Sequence, residues 1–132
     1  MNGNCLCGEI EFTAQEIPKM VFNCHCSICR TSHGSDYATQ AFAVRSSVVF
    51  TKGKEKLKEY ESISCIRAFC SDCGSRLMNY AKDGGDYLSV AIACLDDTYE
   101  GMAVAHCFVE SKAPWHTPNS EIPSFDGFPE KL

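Results

Sequence analysis

The stretch Cys24-His25-Cys26-Ser27-Ile28-Cys29 has the greatest influence on how this chain can fold. Three cysteines so close together can all reach one metal ion only if the backbone turns tightly around it. Two cysteine pairs, Cys5/Cys7 and Cys70/Cys73, lie on either side of this triplet in the sequence. The spacing therefore predicts a fold that is organised around bound metal.

The composition indicates an ordinary globular protein. The chain has 132 residues, of which 45% are hydrophobic and 22% charged, and this length suits a single domain over residues 1–132. No segment approaches the roughly 20 consecutive apolar residues that a membrane-spanning helix needs. We therefore expect one domain that does not enter a membrane.

The ten cysteines favour metal binding over disulfides. The first residues, Met1–Cys5, lack the basic segment and apolar core of a secretory signal, so we expect a cytoplasmic protein with reduced thiols. Abundant cysteine in such a chain is typical of metal or redox sites. The net charge of −5 argues against a nucleic-acid partner, since that binding depends on clustered Lys and Arg.

Alternating and β-branched segments predict a mostly β protein with short helical turns. Ile17-Pro18 breaks the pattern after the first strand. From Ala113 onward, prolines and aromatic residues alternate, which predicts an irregular strap packed over the sheet. The predicted strands are Gly8–Ala14, Val21–Cys24, Ala38–Val44, Val48–Thr51, Leu57–Glu61, Ile66–Cys70, Arg76–Tyr80, Tyr87–Ala93 and Ala103–Val109.

The two cysteine pairs predict a closed structural metal site. Cys5 and Cys7 would lie on one face of an extended segment, and Cys70-Ser71-Asp72-Cys73-Gly74 has the form of a zinc knuckle at the tip of a hairpin. Four thiolates complete the tetrahedral site of structural zinc. We therefore assign Cys5, Cys7, Cys70 and Cys73 to one zinc ion.

The triplet of Cys24, Cys26 and Cys29 is then left as a set of three ligands. Three protein ligands leave a fourth position open for water or substrate. The alternative is a closed site completed by an imidazole. His33 is the candidate, because a helical turn after Cys29 would bring it within reach.

The remaining cysteines and histidines carry weaker signals. If His25 continues the strand before it, its side chain faces away from the metal. His106 and His116 are expected to be ordinary surface or core residues. The isolated thiols lie among apolar neighbours and are expected to be small buried residues; they are Cys65, Cys94 and Cys107.

Four motifs together closely resemble the glutathione-dependent formaldehyde-activating enzyme (GFA) family, also called the centromere-protein-V type. The resemblance runs over nearly the whole chain, and the order and spacing of the cysteine clusters make it specific. The motifs are Cys5-Leu6-Cys7-Gly8, Cys24-His25-Cys26-Ser27-Ile28-Cys29-Arg30, Phe69-Cys70-Ser71-Asp72-Cys73-Gly74-Ser75 and Phe108-Val109-Glu110-Ser111-Lys112-Ala113-Pro114-Trp115.

This resemblance implies a Mss4-like β fold with two zinc ions per chain. It also implies a carbon-sulfur lyase that joins formaldehyde to glutathione to give S-hydroxymethylglutathione. The zinc ligands would be Cys5, Cys7, Cys70 and Cys73 in the structural site and Cys24, Cys26 and Cys29 in the open site.

The expected partners are therefore a small thiol such as glutathione and a small aldehyde. Arg30 follows the triplet directly, and Lys112 and Trp115 belong to the last motif, so these three residues are candidates for the substrate-binding wall. The alternative hypothesis is a protein-binding module in which both zinc ions are structural, because a fold does not decide a function.

Overall fold

The computed structural model describes residues 1–130. Backbone contacts divide the chain into two compact units. The first contains Met1–Pro18 and Ala41–Glu100, and the second contains Lys19–Gln40 and the chain from Gly101 onward. Both units are discontinuous in sequence, so this division does not test the single-domain prediction.

Ten strands, one α-helix and short 3-10 turns make up the described structure. The prediction of a mostly β protein with short helical turns is therefore confirmed. The elements are β1 Asn2–Asn4, β2 Glu11–Thr13, β3 Glu16–Cys24, α1 Ser27–His33, β4 Ala38–Val44, β5 Val49–Lys52, β6 Leu57–Glu61, β7 Ile66–Cys70, β8 Arg76–Tyr80, β9 Tyr87–Ala91 and β10 Ala105–Cys107, with 3-10 turns at Arg45–Ser47, Lys54–Lys56, Ile92–Cys94 and Val109–Ser111.

The first unit contains two sets of strands. β1, β2 and β5 form a small antiparallel sheet, and β9, β8, β7 and β6 follow one another as antiparallel neighbours. Their inward side chains form one apolar core, which stabilises the sheet by removing apolar surface from water. The fully buried members of this core include Cys5, Ile10, Phe12, Ala43, Cys70, Leu77 and Val90.

The second unit contains the end of β3, the start of β4, and α1 and β10. β10 pairs in parallel with β3, so that Ala105 lies beside Phe22 and Cys107 beside Cys24. The segment after β10 carries no further strand within the described residues, as the prolines predicted. Phe128 of this segment packs on Phe22 with ring centroids 5.0 Å apart.

β3 corrects one prediction from the sequence. The strand runs through Ile17-Pro18, where we expected a break, and covers Glu16–Cys24 rather than Val21–Cys24. Lys19, which follows the proline, has a φ of 62°, so the backbone departs from extended geometry at this residue. A single left-handed residue bends an extended chain without ending it, so the irregularity is a kink within one strand.

None of the described helices is both long and apolar enough to span a membrane.

Candidate functional site

Four thiols from two distant parts of the first unit converge. The Sγ atoms of Cys5, Cys7, Cys70 and Cys73 all lie within 4.8 Å of one another. Cys7 Sγ is 3.6 Å from Cys5 Sγ and 3.8 Å from Cys70 Sγ. Zinc-sulfur bonds of about 2.3 Å in a tetrahedron place the sulfurs roughly 3.8 Å apart. The donor set and its spacing therefore fit a four-thiolate metal site.

Two similar turns hold these thiols. The backbone N–H of Gly8 donates to the Cys5 carbonyl at 3.1 Å, and that of Gly74 donates to the Cys70 carbonyl at 2.8 Å. The two glycines have φ values of 78° and 77°, a left-handed conformation that suits residues without a Cβ. Each turn is a short loop that directs two cysteines to the same side, which explains why glycine follows each pair.

The pKa values of the four thiols depend on hydrogen bonds within the site. The pKa of Cys73 is lowered to about 5 by hydrogen bonds from the Ser75 hydroxyl, 3.2 Å away, and the Ser75 backbone. At the exposed Cys7, a hydrogen bond from the Glu9 backbone lowers the pKa, but local desolvation and hydrogen bonds with the neighbouring thiols outweigh it and raise the value to about 12. The thiols thus shift one another's pKa values, and four thiolates at this spacing would require a cation to balance their charge.

A second group of three thiols lies in the other unit. The Sγ atoms of Cys24, Cys26 and Cys29 are also within 4.8 Å of one another. Cys24 is the last residue of β3, and Cys29 lies in the first turn of α1. Both are buried, whereas Cys26 is half-buried. The group is thus more accessible on the side of Cys26.

The start of α1 brings these thiols together. Cys26 is the N-cap residue of the helix, and its Sγ accepts a hydrogen bond from the Cys29 backbone N–H at 3.2 Å. Gln40 donates from Nε2 to Cys29 Sγ at 3.6 Å. The free N–H groups at a helix start require such an acceptor. The hydrogen bond that caps α1 therefore also brings the Cys26 thiol close to Cys29.

The structure does not place His33 in this group. A helical turn does follow Cys29, as we expected, and His33 is the last residue of α1. Among the described residues, however, the group within 4.8 Å contains only the three cysteines. The closed site that His33 would complete is therefore not the arrangement in this structure.

Cys107 is a neighbour of the triplet that sequence reasoning did not detect. It was expected to be buried, and it is only 2% exposed. It pairs with Cys24 across the two strands, and the Cys107 thiol, followed by that of Cys26, raises the pKa of Cys24. Cys107 is nevertheless outside the group within 4.8 Å. No local pattern could reveal this contact, because it arises from the pairing of β10 with β3.

His25 follows β3 rather than belonging to it, which corrects the expectation of a strand residue. Its ring is fully buried, with Nε2 3.1 Å from Nδ1 of His106. The rings of Tyr37 and His116 lie 5.0 Å and 5.9 Å from it. Burial, and then the nearby His106, lower the pKa of His25 to about 4. His25 is therefore neutral at pH 7 and forms a buried ring cluster with Tyr37, His106 and His116.

Two of the three predicted substrate-binding residues line a common cleft. Arg30 and Trp115 border a cavity of about 310 Å³ within the second unit, together with residues from the end of α1 and the loop after it. Lys112 is not among the lining residues. Its Nζ donates instead to the backbone carbonyl of His116 at 3.3 Å.

The other isolated cysteines differ from the expectation. Cys65 and Cys94 are half-buried rather than buried. Burial nevertheless raises the pKa of Cys94 to about 12. All ten cysteines are free thiols, and Cys65 and Cys94 belong to neither thiol group.

The fold and its two thiol groups define a β protein with two sites able to hold metal ions. The model of the family described as "glutathione-dependent formaldehyde-activating enzyme" matches residues 1–111. The chain therefore belongs to this family, as its motifs indicated.

A solved structure supports the fold. A crystal structure of a Rhodobacter sphaeroides protein superposes with a TM-score of 0.63 and 23% sequence identity, and the match covers 95% of this chain and 100% of that one. No curated protein matches the chain.

Proposed function

We propose that the protein is a zinc-dependent carbon-sulfur lyase that joins a formaldehyde-like aldehyde to a thiol such as glutathione. The observation that carries this proposal is the group of Cys24, Cys26 and Cys29, which contains three ligands where a closed zinc site has four. The family match supports the substrate class. Two zinc ions per chain are proposed, one in each thiol group.

The reaction forms one carbon-sulfur bond. The thiol sulfur attacks the aldehyde carbon, the carbonyl π bond becomes an alkoxide, and the thiol proton finally resides on that oxygen. A zinc ion held by the triplet supplies positive charge that favours the thiolate form of the substrate. The protein residues bind and orient the two reactants beside that group.

Ionisation of the thiol accounts for only part of any acceleration. A thiol of pKa about 8.5 is ~3% ionised at pH 7, so complete ionisation raises the reactive fraction by at most about 30-fold. A larger effect requires the aldehyde carbon to be held near the sulfur. We assign this positioning to the cleft beside α1, with Arg30 and Trp115 in its wall. Lys112, which donates to the His116 carbonyl and does not line the cleft, is kept as a further candidate.

The test is exchange NMR of ¹³C-labelled formaldehyde with glutathione. Wild-type protein, Cys26→Ser and a protein-free sample are compared at equal pH, and the measured quantity is the exchange rate, since the adduct also forms without a catalyst. We expect the wild type to exceed the protein-free rate and Cys26→Ser to return to it. A wild-type sample with two zinc equivalents and an unchanged rate would contradict the proposal.

The alternative function is a zinc-stabilised protein-binding module. The observation in its favour is a set of strongly exposed apolar side chains in the first unit, Leu6 at 88% and Ile63 at 98%. Loss of catalysis with full zinc content would favour this alternative. We place either function in the cytoplasm, where the ten free thiols stay reduced.

A further inference from the structure

Two sulfur atoms of the triplet accept hydrogen bonds from N–H groups of the second unit. Cys26 Sγ accepts one from the backbone N–H of Cys29 at 3.2 Å. Cys29 Sγ accepts another from Nε2 of Gln40 at 3.6 Å, and bonds to sulfur are longer than bonds to oxygen because the sulfur atom is larger. The first bond belongs to the cap of α1. The second comes from a different strand and therefore has a separate role.

Gln40 is a buried polar residue. It lies in β4, 11 positions after Cys29 in the sequence, and it is only 8% exposed. A buried carboxamide is unfavourable unless its polar atoms have hydrogen-bond partners. Its Nε2 atom has such a partner in Cys29 Sγ, so the acceptor strength of that sulfur decides how well the site accommodates a glutamine.

The acceptor strength of Cys29 depends on its charge. The sulfur of a neutral thiol is a weak acceptor, whereas a charged acceptor makes a hydrogen bond roughly twice as strong. A cysteine that holds a metal ion does so as a thiolate. The buried N–H group directed at Cys29 is thus the kind of outer partner that metal-ligating side chains commonly have.

We propose that Gln40 is a positioning residue of the metal site at the triplet, which holds the Cys29 thiolate through Nε2 and limits the electron density that this sulfur donates to the metal. A metal that receives less electron density keeps more positive charge, which favours the thiolate form of a substrate at the open position. The proposal rests on the zinc assignment in the proposed function, but not on the identity of the thiol or the aldehyde.

Thr39 provides a matched control in the same strand. Its Oγ1 donates to Asn23 Oδ1 at 2.7 Å, so Thr39→Val also removes one side-chain hydrogen bond, but none to a sulfur. Asn23 directly precedes Cys24, so this variant also shows how far an indirect disturbance of the backbone affects the triplet.

The first measurement is zinc affinity, by competition with a chromogenic chelator. Gln40→Met keeps the length of the side chain and removes the donor. We expect it to lower the zinc affinity of the triplet by at least about 10-fold, whereas Thr39→Val should change it by less than about 2-fold. Zinc in the four-thiol site is the internal reference and should stay bound in both variants.

The second measurement is the absorption spectrum of cobalt(II) bound at the triplet, with zinc kept in the four-thiol site. The sulfur-to-cobalt charge-transfer band moves electron density from the thiolates to the metal. Loss of the Gln40 hydrogen bond raises the energy of the Cys29 lone pairs, so the band should shift to longer wavelength in Gln40→Met. Cys26→Ser identifies the band, because it removes a thiolate ligand.

Three results would overturn the proposal. One is wild-type affinity with an unshifted band in Gln40→Met. The others are weaker affinity without a band shift and an equal loss of affinity in Thr39→Val, because either would assign only a packing role to Gln40. If Gln40→Met does not fold, Gln40→Asn replaces it. Its carboxamide is one methylene shorter and should not reach Cys29, so an unshifted band in this variant would also overturn the proposal.

The outcomes separate this proposal from the proposed function, because neither measurement requires turnover. Weaker affinity and a shifted band in a protein that does not accelerate the formaldehyde reaction would refute the lyase function and support the role of Gln40. Acceleration by the wild type, with Gln40→Met unchanged in both measurements, would refute the role of Gln40 alone.

Discussion

Cys26 has two structural roles at once. Its thiol caps the first turn of α1, and it belongs to the three-thiol group. Serine is also a good N-cap residue, so Cys26→Ser separates the two roles: it keeps the cap and removes a soft metal ligand.

For Cys26→Ser we expect the loss of roughly one zinc equivalent with a cooperative unfolding transition retained, because the two thiol groups share no ligand. Zinc content by atomic spectroscopy and urea unfolding measure the two properties. Loss of both metals together with collapse of the fold would show that the triplet belongs to the structural framework.

Substitution of Cys107 tests whether the metal site of the triplet has an open fourth position. The Cys107 thiol contacts Cys24 but lies outside the group within 4.8 Å, so Cys107→Ala should keep the full zinc content. Removal of one buried sulfur should lower the unfolding free energy by about 1–2 kcal/mol. If the variant lost one zinc equivalent, Cys107 would be a fourth ligand and the open-site argument would fail.

At the level of elements, the loop between β5 and β6 depends on a close backbone approach. Gly53 has a φ of 72°, and a Cβ at this position would lie 1.8 Å from the Glu9 carbonyl oxygen. Gly34, which ends α1, has a similar φ of 62°, but a Cβ there would meet no atom of the described residues within 4 Å. The two glycines thus share a conformation and differ in the space around them.

We expect Gly53→Ala to lower the unfolding free energy by about 3 kcal/mol, since the backbone must move as well as tolerate a left-handed alanine. Gly34→Ala is the matched control and should cost about 1 kcal/mol, from conformation alone. Urea denaturation of both variants provides the comparison. Equal losses would mean that Gly53 is required only for its φ.

The strands that were predicted with correct bounds share a local signal. Ala38–Val44, Leu57–Glu61, Ile66–Cys70 and Arg76–Tyr80 agree with β4, β6, β7 and β8. Their alternating or β-branched residues are bounded by turns, and that pattern depends on neighbours in sequence. The ends of β3 and β10 were predicted incorrectly. The extent of β3 depends on the left-handed residue Lys19, and that of β10 depends on its pairing with β3.

At the level of the whole molecule, the four-thiol site closes a long stretch of chain. Cys7 and Cys70 are separated by 63 positions, and their Sγ atoms are 3.8 Å apart. The free energy of metal binding there adds to the stability of the folded state, because the ligands converge only when the chain is folded. Cys70 is also fully buried in the core of the first unit.

Cys70→Ser should therefore unfold the protein or lower its unfolding free energy by at least about 3 kcal/mol. Cys65→Ser serves as the control, because Cys65 is half-buried and outside both thiol groups, and it should change stability by less than about 1 kcal/mol. Thermal unfolding with zinc analysis tests both. Wild-type melting and full zinc content in Cys70→Ser would disprove the site.

The sequence by itself determined the mostly β class, the two thiol groups and the family, because ligand spacing and strand alternation are properties of neighbouring residues. Tertiary structure alone decided which distant residue lies next to the triplet and which residues meet in the cleft beside α1. Cys107 reaches Cys24 through strand pairing, and Asp36 meets Trp115 across 79 positions of sequence. Such contacts arise from packing between distant segments, whose register no local pattern specifies.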